Sequence, residues 1–212
     1  MAASALIPVK AFAAAKVRLA PALDADRRAR LAREMATHVV RAAAPLPVSV
    51  VCDDEGVREW AESVGARPIW TPGLGLDGAV QAGVATLAAD GVETVVVAHS
   101  DLPHAAGLAD LPGRADGSVL LVPDRHGDGT NVAVMPSASG FRFAYGHGSF
   151  LRHVAEAERL GLGPVVHRAA DLGWDVDLPD DLTLPPTSVL PDDLPDTFAT
   201  AGTGAVDRPC GT

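Results

Sequence analysis

Short apolar runs recur along the chain at residues 6–9, 48–52, 67–70, 95–98, 119–122, 132–135 and 164–167, each of a length that suits a buried strand. Between several of them the apolar positions repeat with helical spacing. One helix is expected after the cap candidate Asp24, burying Leu31, Met35 and Val39, and a second after Asp53 and Asp54, burying Val57, Trp60, Ala61 and Val64. A third follows Asp77 with Val80, Val84 and Leu87 on one face. A fourth follows Ser149 with Leu151, Val154 and Leu160 inward. Strands alternating with helices predict an α/β architecture, a three-layer and mostly parallel sheet with helices on both faces. The alternation stops after Leu184, so residues 1–184 read as one domain and residues 185–212, with Pro185, Pro186, Pro191, Pro195 and Pro209, as a flexible Pro-rich tail.

Composition narrows the class. The chain has 212 residues, enough for one well-cored domain, and no apolar run approaches the roughly 20 residues a membrane span needs. Residues 1–10 carry no basic lead, which argues against a secretory signal and for a cytoplasmic protein. Cys52 and Cys210 are too few for a disulfide framework or a thiolate metal site. The net charge of -10 disfavours nucleic acid and anionic membranes as partners, and a phosphate-bearing ligand would need local cations. The sequence leaves the oligomeric state open.

Three stretches each sit just past an apolar run that reads as a strand, and they are the best clue to function. They are His99-Ser100-Asp101-Leu102-Pro103, the glycine-rich run from Pro123 to Asn131, and Asp175-Val176-Asp177. In an open parallel sheet the carboxyl ends of the strands share one rim, where distant segments converge on a ligand. Asp101, Asp175 and Asp177 suit magnesium on phosphates, since that ion takes one or two carboxylates plus phosphate oxygens and water. If Trp174 to Leu178 is a strand, its two acids share one face while Trp174, Val176 and Leu178 take the other.

Lys10, Lys16 and Arg18 follow the first strand, where a nucleotide's phosphates would lie, although neither a Walker loop nor GxGxxG is present. The turn from Pro72 to Asp77 would let the backbone at Gly75 approach a base or ribose closely, with Asp77 accepting donors from guanine or capping the helix. Thr130 and Asn131 offer donors to an anion, and Gly146-His147-Gly148-Ser149 opens a helix whose N-terminus suits a phosphate, with Ser149 also a candidate cap. Taken singly, each stretch is also explained by a solvated loop, a cap or a hairpin. The seven histidines show no HExxH spacing and no GxSxG is present, which ranks hydrolases low.

Together these stretches resemble the 2-phospho-L-lactate or phosphoenolpyruvate guanylyltransferase family of deazaflavin coenzyme F-420 biosynthesis, within the wider nucleotidyltransferase (nucleotide-diphospho-sugar transferase-like) fold. The likeness runs from Leu6 to Leu182, and its most specific parts are PDRxGxGTN, here Pro123 to Asn131, and DxDxPxDL, here Asp175 to Leu182. The resemblance implies that Asp101, Asp175 and Asp177 bind Mg2+ and that Asp101, Lys16 and Arg18 serve catalysis. It implies that Thr130, Gly146 and Ser149, with Asn131 and Arg125, hold a small phosphorylated carboxylic acid. Lys10, Lys16, Arg18, Gly75, Asp77 and Ser100 would then contact GTP. The implied activity joins the GMP moiety of GTP to phosphoenolpyruvate or 2-phospho-L-lactate, with transient handover of a labile product to the next transferase. The alternatives are a nucleotidyltransferase acting on a sugar phosphate or a molybdopterin-type cofactor, and a non-catalytic nucleotide-binding or scaffolding protein.

Overall fold

The structure, a computed structural model, describes residues 2–182, so the tail expected at 185–212 lies outside the described residues. Seven strands form one sheet in the order β3-β2-β1-β4-β6-β5-β7. They are β1 (Ala3–Pro8), β2 (Val48–Cys52), β3 (Arg67–Trp70), β4 (Thr94–Ala98), β5 (Val119–Pro123), β6 (Thr130–Pro136) and β7 (Pro164–Val166). Only β6 runs against its neighbours, β4 and β5. That reversal has a functional consequence. The start of β6, Thr130 and Asn131, comes to the rim where β1, β4 and β5 end, as the pairing of Ala98 with Val132 shows.

Successive strand side chains point to opposite faces, so each strand feeds two layers. Ile7, Val96, Leu120 and Val134 join one core with α1 (Ala25–Ala42), α2 (Glu55–Ser63) and α4 (Leu111–Ala115). Leu6, Val97, Leu121 and Met135 join the other with α3 (Gly75–Ala89) and α5 (Ser149–Arg159). The expected three-layer α/β architecture is what forms. Asp24 and Asp54 cap α1 and α2, accepting from the amides of Arg27 at 2.8 Å and Val57 at 3.0 Å. Gly83 brings α3 close to the sheet, since a Cβ there would stand 2.6 Å from Val51 Cγ1 and 2.8 Å from Leu6 Cδ2. Among the described residues no helix is long and apolar enough to cross a membrane.

Three expectations need correction. Helix α3 begins at Gly75, two residues before Asp77, which therefore lies in its first turn and caps nothing. Leu151 is 53% exposed, because the buried stripe of α5 runs through Phe150, His153, Val154 and Ala157. Trp174 to Leu178 is not a strand. It follows the short helix α6 (Ala170–Gly173) as extended chain, with Trp174 and Val176 buried against Leu19 and Met35 while Leu178 is exposed.

Candidate active site

The rim encloses a cleft of about 1130 Å³ lined by Lys10, Lys16, Arg18, Gly75, Ser100, Asp101, Arg125, Thr130, Asn131, Gly146, Ser149, Asp175 and Asp177. Of the residues given a catalytic, metal-binding or ligand-binding role in the sequence, Asp77 alone is not part of that lining. Its Oδ1 accepts from the Tyr145 amide at 2.9 Å, so it tethers the loop before α5 to α3.

At one corner Lys16 joins two acids. Its Nζ donates to Asp101 Oδ2 at 2.5 Å and to Asp177 Oδ1 at 3.2 Å, and Arg18 reaches Asp177 Oδ2 at 3.2 Å. Lys16 has φ 55°, a left-handed conformation uncommon for a side-chain-bearing residue and typical of functional turns. Burial alone would favour neutral forms of this pair, but the mutual attraction outweighs it. Asp101 is held below the ordinary carboxylate range by Lys16, and Lys16 is held above its ordinary value by Asp101 and Asp177.

Asp175 has no such cation. Its burial, followed by the charges of Asp101, Asp124 and Asp177, pushes its carboxyl up to about 7. Among the described residues Asp101 Oδ1 and Asp175 Oδ1 are buried without a hydrogen-bond partner. Orphaned carboxylate oxygens in a crowd of like charge fit a hard divalent cation. Among the described residues no group of three or more His, Cys, Asp or Glu side chains is arranged to hold a metal ion by itself. The cation's remaining ligands would then be phosphate oxygens and water, as magnesium prefers.

The two segments that meet here are brought together by packing. Leu19, just after Lys16 and Arg18, and Trp174 and Val176, which flank Asp175, share one apolar cluster with Met35 of α1. Arg125 borders the cleft with its guanidinium already engaged. Its guanidinium lies 4.5 Å above the Trp174 ring, donates to the Asp175 carbonyl at 3.1 Å and pairs with buried Asp181. Asn131 is likewise occupied, its Nδ2 donating to the Leu172 carbonyl at 3.0 Å. Both border the cleft, yet these donors hold the protein together.

A second corner is made by β6, the loop before α5 and the α5 N-terminus. Ser149, the first residue of α5 rather than its cap, accepts from the Thr130 amide at 3.1 Å. Arg152 gathers the carbonyls of Ala144, Tyr145, Gly146 and His147. Asp128 accepts from the Gly148 amide at 3.0 Å and ties this turn to the β5–β6 hairpin. Asp124 staples that hairpin by accepting from the amides of His126, Asp128 and Gly129.

Buried His153 lies behind Thr130, 3.0 Å from its Oγ1 and 3.0 Å from the Ala144 amide. Sequence reasoning missed His153, Arg152, Asp128 and Asp181. The first two look like the polar face of an amphipathic helix, and for Asp181 the one available signal was its place in the DxDxPxDL ending.

Burial, then the charge of Arg152, lowers His153 from its ordinary 6.5 to about 4. Between those values the unfolded chain binds a proton that the folded chain refuses, so stability falls as pH falls through that window. Going from pH 7 to pH 5 should remove about 2 kcal/mol through this group. Urea unfolding of the wild type and His153→Asn at both pH values isolates it, because the other histidines are common to both proteins. Equal losses in the two would refute the assignment.

A family model described as guanylyl transferase CofC like matches residues 3–184. A protein named phosphoenolpyruvate guanylyltransferase from Conexibacter woesei is 38% identical over 192 residues, covering 86% of each chain. One named 2-phospho-L-lactate guanylyltransferase from Methanothermobacter thermautotrophicus is 35% identical over 193 residues, covering 84% of this chain and 81% of that one. A solved nucleotidyl transferase, also from Methanothermobacter, superposes with a TM-score of 0.58 at 15% identity, covering 85% of this chain and 94% of that one, and so shares the fold.

Proposed function

The chain belongs to the CofC-like guanylyl transferase family, and on that footing we propose that it joins the GMP moiety of GTP to phosphoenolpyruvate, releasing pyrophosphate, as a cytoplasmic enzyme of deazaflavin coenzyme F-420 assembly. The observation that carries this reading is the pairing, within one cleft, of an acidic corner holding Lys16 and Arg18 with a second corner of hydroxyls and glycine-turn amides. The first suits a metal–triphosphate, the second a phosphate monoester. Phosphoenolpyruvate is favoured as acceptor by the name of the 38%-identical relative.

A phosphate monoester has a second pKa near 6 and reaches the cleft mostly as a dianion. One of its oxygens attacks the α-phosphorus of GTP. A new P–O bond forms, the bond from the α-phosphorus to the bridging oxygen breaks, and its electron pair leaves with pyrophosphate. No general base is required. The barrier is the approach of two anions, which positioning and fixed positive charge lower. Thr130, Gly146 and Ser149 hold the acceptor phosphate, while Lys16 and Arg18 bring cationic charge to the nucleotide phosphates, with Lys10 and Ser100 beside them. The turn at Gly75 borders the base. Asp101, Asp175 and Asp177 would hold Mg2+, which when bound supplies further charge neutralisation on the triphosphate.

Pyrophosphate release should require GTP, magnesium and phosphoenolpyruvate together, and should be slower with 2-phospholactate or 3-phosphoglycerate. An enzyme-coupled pyrophosphate assay over the three acids and a set of sugar 1-phosphates decides this. Turnover with a sugar phosphate alone, or GTP binding in calorimetry with no pyrophosphate from any acceptor, would displace the proposal.

A further inference from the structure

We infer that His153 is a positioning residue that fixes the Thr130 hydroxyl as a hydrogen-bond donor, so that the second corner of the cleft selects a ligand group made only of acceptors, a phosphoryl dianion. The inference rests on the proposed placement of the acceptor phosphate at Thr130 and deepens it.

The argument is one of proton count. A neutral imidazole carries a single N–H. The Ala144 amide donates to His153 Nε2 at 3.0 Å, so Nε2 must present its lone pair and the ring proton must sit on Nδ1. Nδ1 lies 3.0 Å from Thr130 Oγ1, so the hydroxyl oxygen accepts there and its own hydrogen is released for another partner. Among the described residues Thr130 Oγ1 is paired with nothing else. Thr130 borders the cleft, and a bound ligand is the partner left to it.

The ring has little freedom to choose otherwise. His153 is fully buried, and the rings of Phe141, Phe143 and Tyr145 stand 5.6, 6.1 and 5.0 Å from it, centroid to centroid. A flip about χ2 would put carbon where each nitrogen now makes its contact, losing both hydrogen bonds. Burial keeps the ring neutral, in agreement with this count.

The surroundings repeat the same polarity. The Ser149 oxygen already accepts from the Thr130 amide, so its proton too is free to donate. Arg152 draws the carbonyls of residues 144–147 onto its guanidinium, which turns acceptors away from the ligand. A phosphoryl group, all acceptor at neutral pH, meets the free protons of both hydroxyls. A hydroxyl or amide in its place would face donor against donor, a mismatch that discriminates strongly in a desolvated site.

Two measurements test this without depending on each other. In ¹⁵N-histidine-labelled wild-type protein, nitrogen chemical shifts and long-range couplings should identify His153 as the Nδ1–H tautomer at neutral pH, and an Nε2–H signature would overturn the inference. In kinetics, His153→Gln keeps an acceptor near the Ala144 amide but withdraws the donor from Thr130, and should raise KM for phosphoenolpyruvate about tenfold with KM for GTP unchanged. His153→Asn, whose amide can still donate to Thr130, should stay within a few-fold of wild type. Adding His153→Gln to Thr130→Val should cost nothing further if the histidine acts through that hydroxyl. Equal rises in both KM values, or full additivity, would overturn the inference. The Nδ1–H tautomer together with the same pattern of phosphoenolpyruvate affinities in calorimetry, but no pyrophosphate from GTP, would sustain it and sink the proposed activity instead.

Discussion

Asp101→Asn should lower pyrophosphate release by roughly 10³-fold or more while leaving the protein folded. The substitution is close to isosteric, and it acts where two functions coincide. Asp101 Oδ2 holds the Lys16 ammonium at 2.5 Å, and Asp101 Oδ1 is a buried oxygen without a partner, free for a cation. Removing the charge halves the carboxylate claim on Lys16 and weakens any divalent cation shared with Asp175 or Asp177. Stability should change little, because Lys16 keeps Asp177 at 3.2 Å and Asp175 loses one of the negative neighbours that raise its carboxyl. Thermal melting and the pyrophosphate assay, run on the same preparation, separate loss of chemistry from loss of fold. Turnover near the wild-type rate would remove Asp101 from the site's working parts.

The central strands were legible because they are buried on both faces and so read as unbroken apolar runs, as in Val95 to Val97 and Val119 to Val122. The caps Asp24 and Asp54 were legible because capping is a local interaction. The elements misread share a different cause: their burial is decided by contacts distant in sequence. Trp174, Val176 and Leu178 alternate as a strand would, yet what buries the first two is Leu19 and Met35, and among the described residues no strand pairs with them. In α5, a histidine at 153 counts as polar, which shifts the apparent apolar face onto Leu151. Only the structure shows that two hydrogen bonds let that histidine sit in the core.

For the site, residue types and the ends of β1 and β4 sufficed to bring Lys16 and Asp101 together, and Asp177 joins them from extended chain after α6. The family resemblance gives Arg125 and Asn131 to the substrate. Which way a donor points is set by an acceptor on another segment, here Asp181 and the Leu172 carbonyl. The same contact marks Asp181 as a residue on which the acidic corner depends. Its charge, at the border of the cleft, decides where Asp175 and Asp177 stand.

Asp181→Asn should therefore be the most destabilising conservative change near the cleft. The Asp181 side chain is buried in the turn Pro179–Leu182, with Oδ1 paired to Arg125 and Oδ2 accepting from the amides of Asp177 and Leu178 at 2.7 Å each. Donors thus surround both oxygens. An amide replaces one acceptor by an NH2, which must point at the guanidinium or at the two amides, and in either orientation donor meets donor. The Arg125 cation also loses its buried counter-charge. Breaking a buried pair from one side costs about 3–5 kcal/mol, which for a domain of this size lowers the melting temperature by roughly 10 °C.

Arg125→Met should cost less, because Asp181 then still receives two amide hydrogen bonds and the 177–178 backbone stays in place. Activity should follow the same order, falling further in Asp181→Asn than in Arg125→Met even at temperatures where both are folded, since only the first releases the backbone that carries Asp177. Differential scanning calorimetry with initial rates at 20 °C would read both effects. A melting point within two degrees of wild type for Asp181→Asn, or a greater loss in Arg125→Met, would mean that the segment is held by the Trp174 and Val176 packing alone.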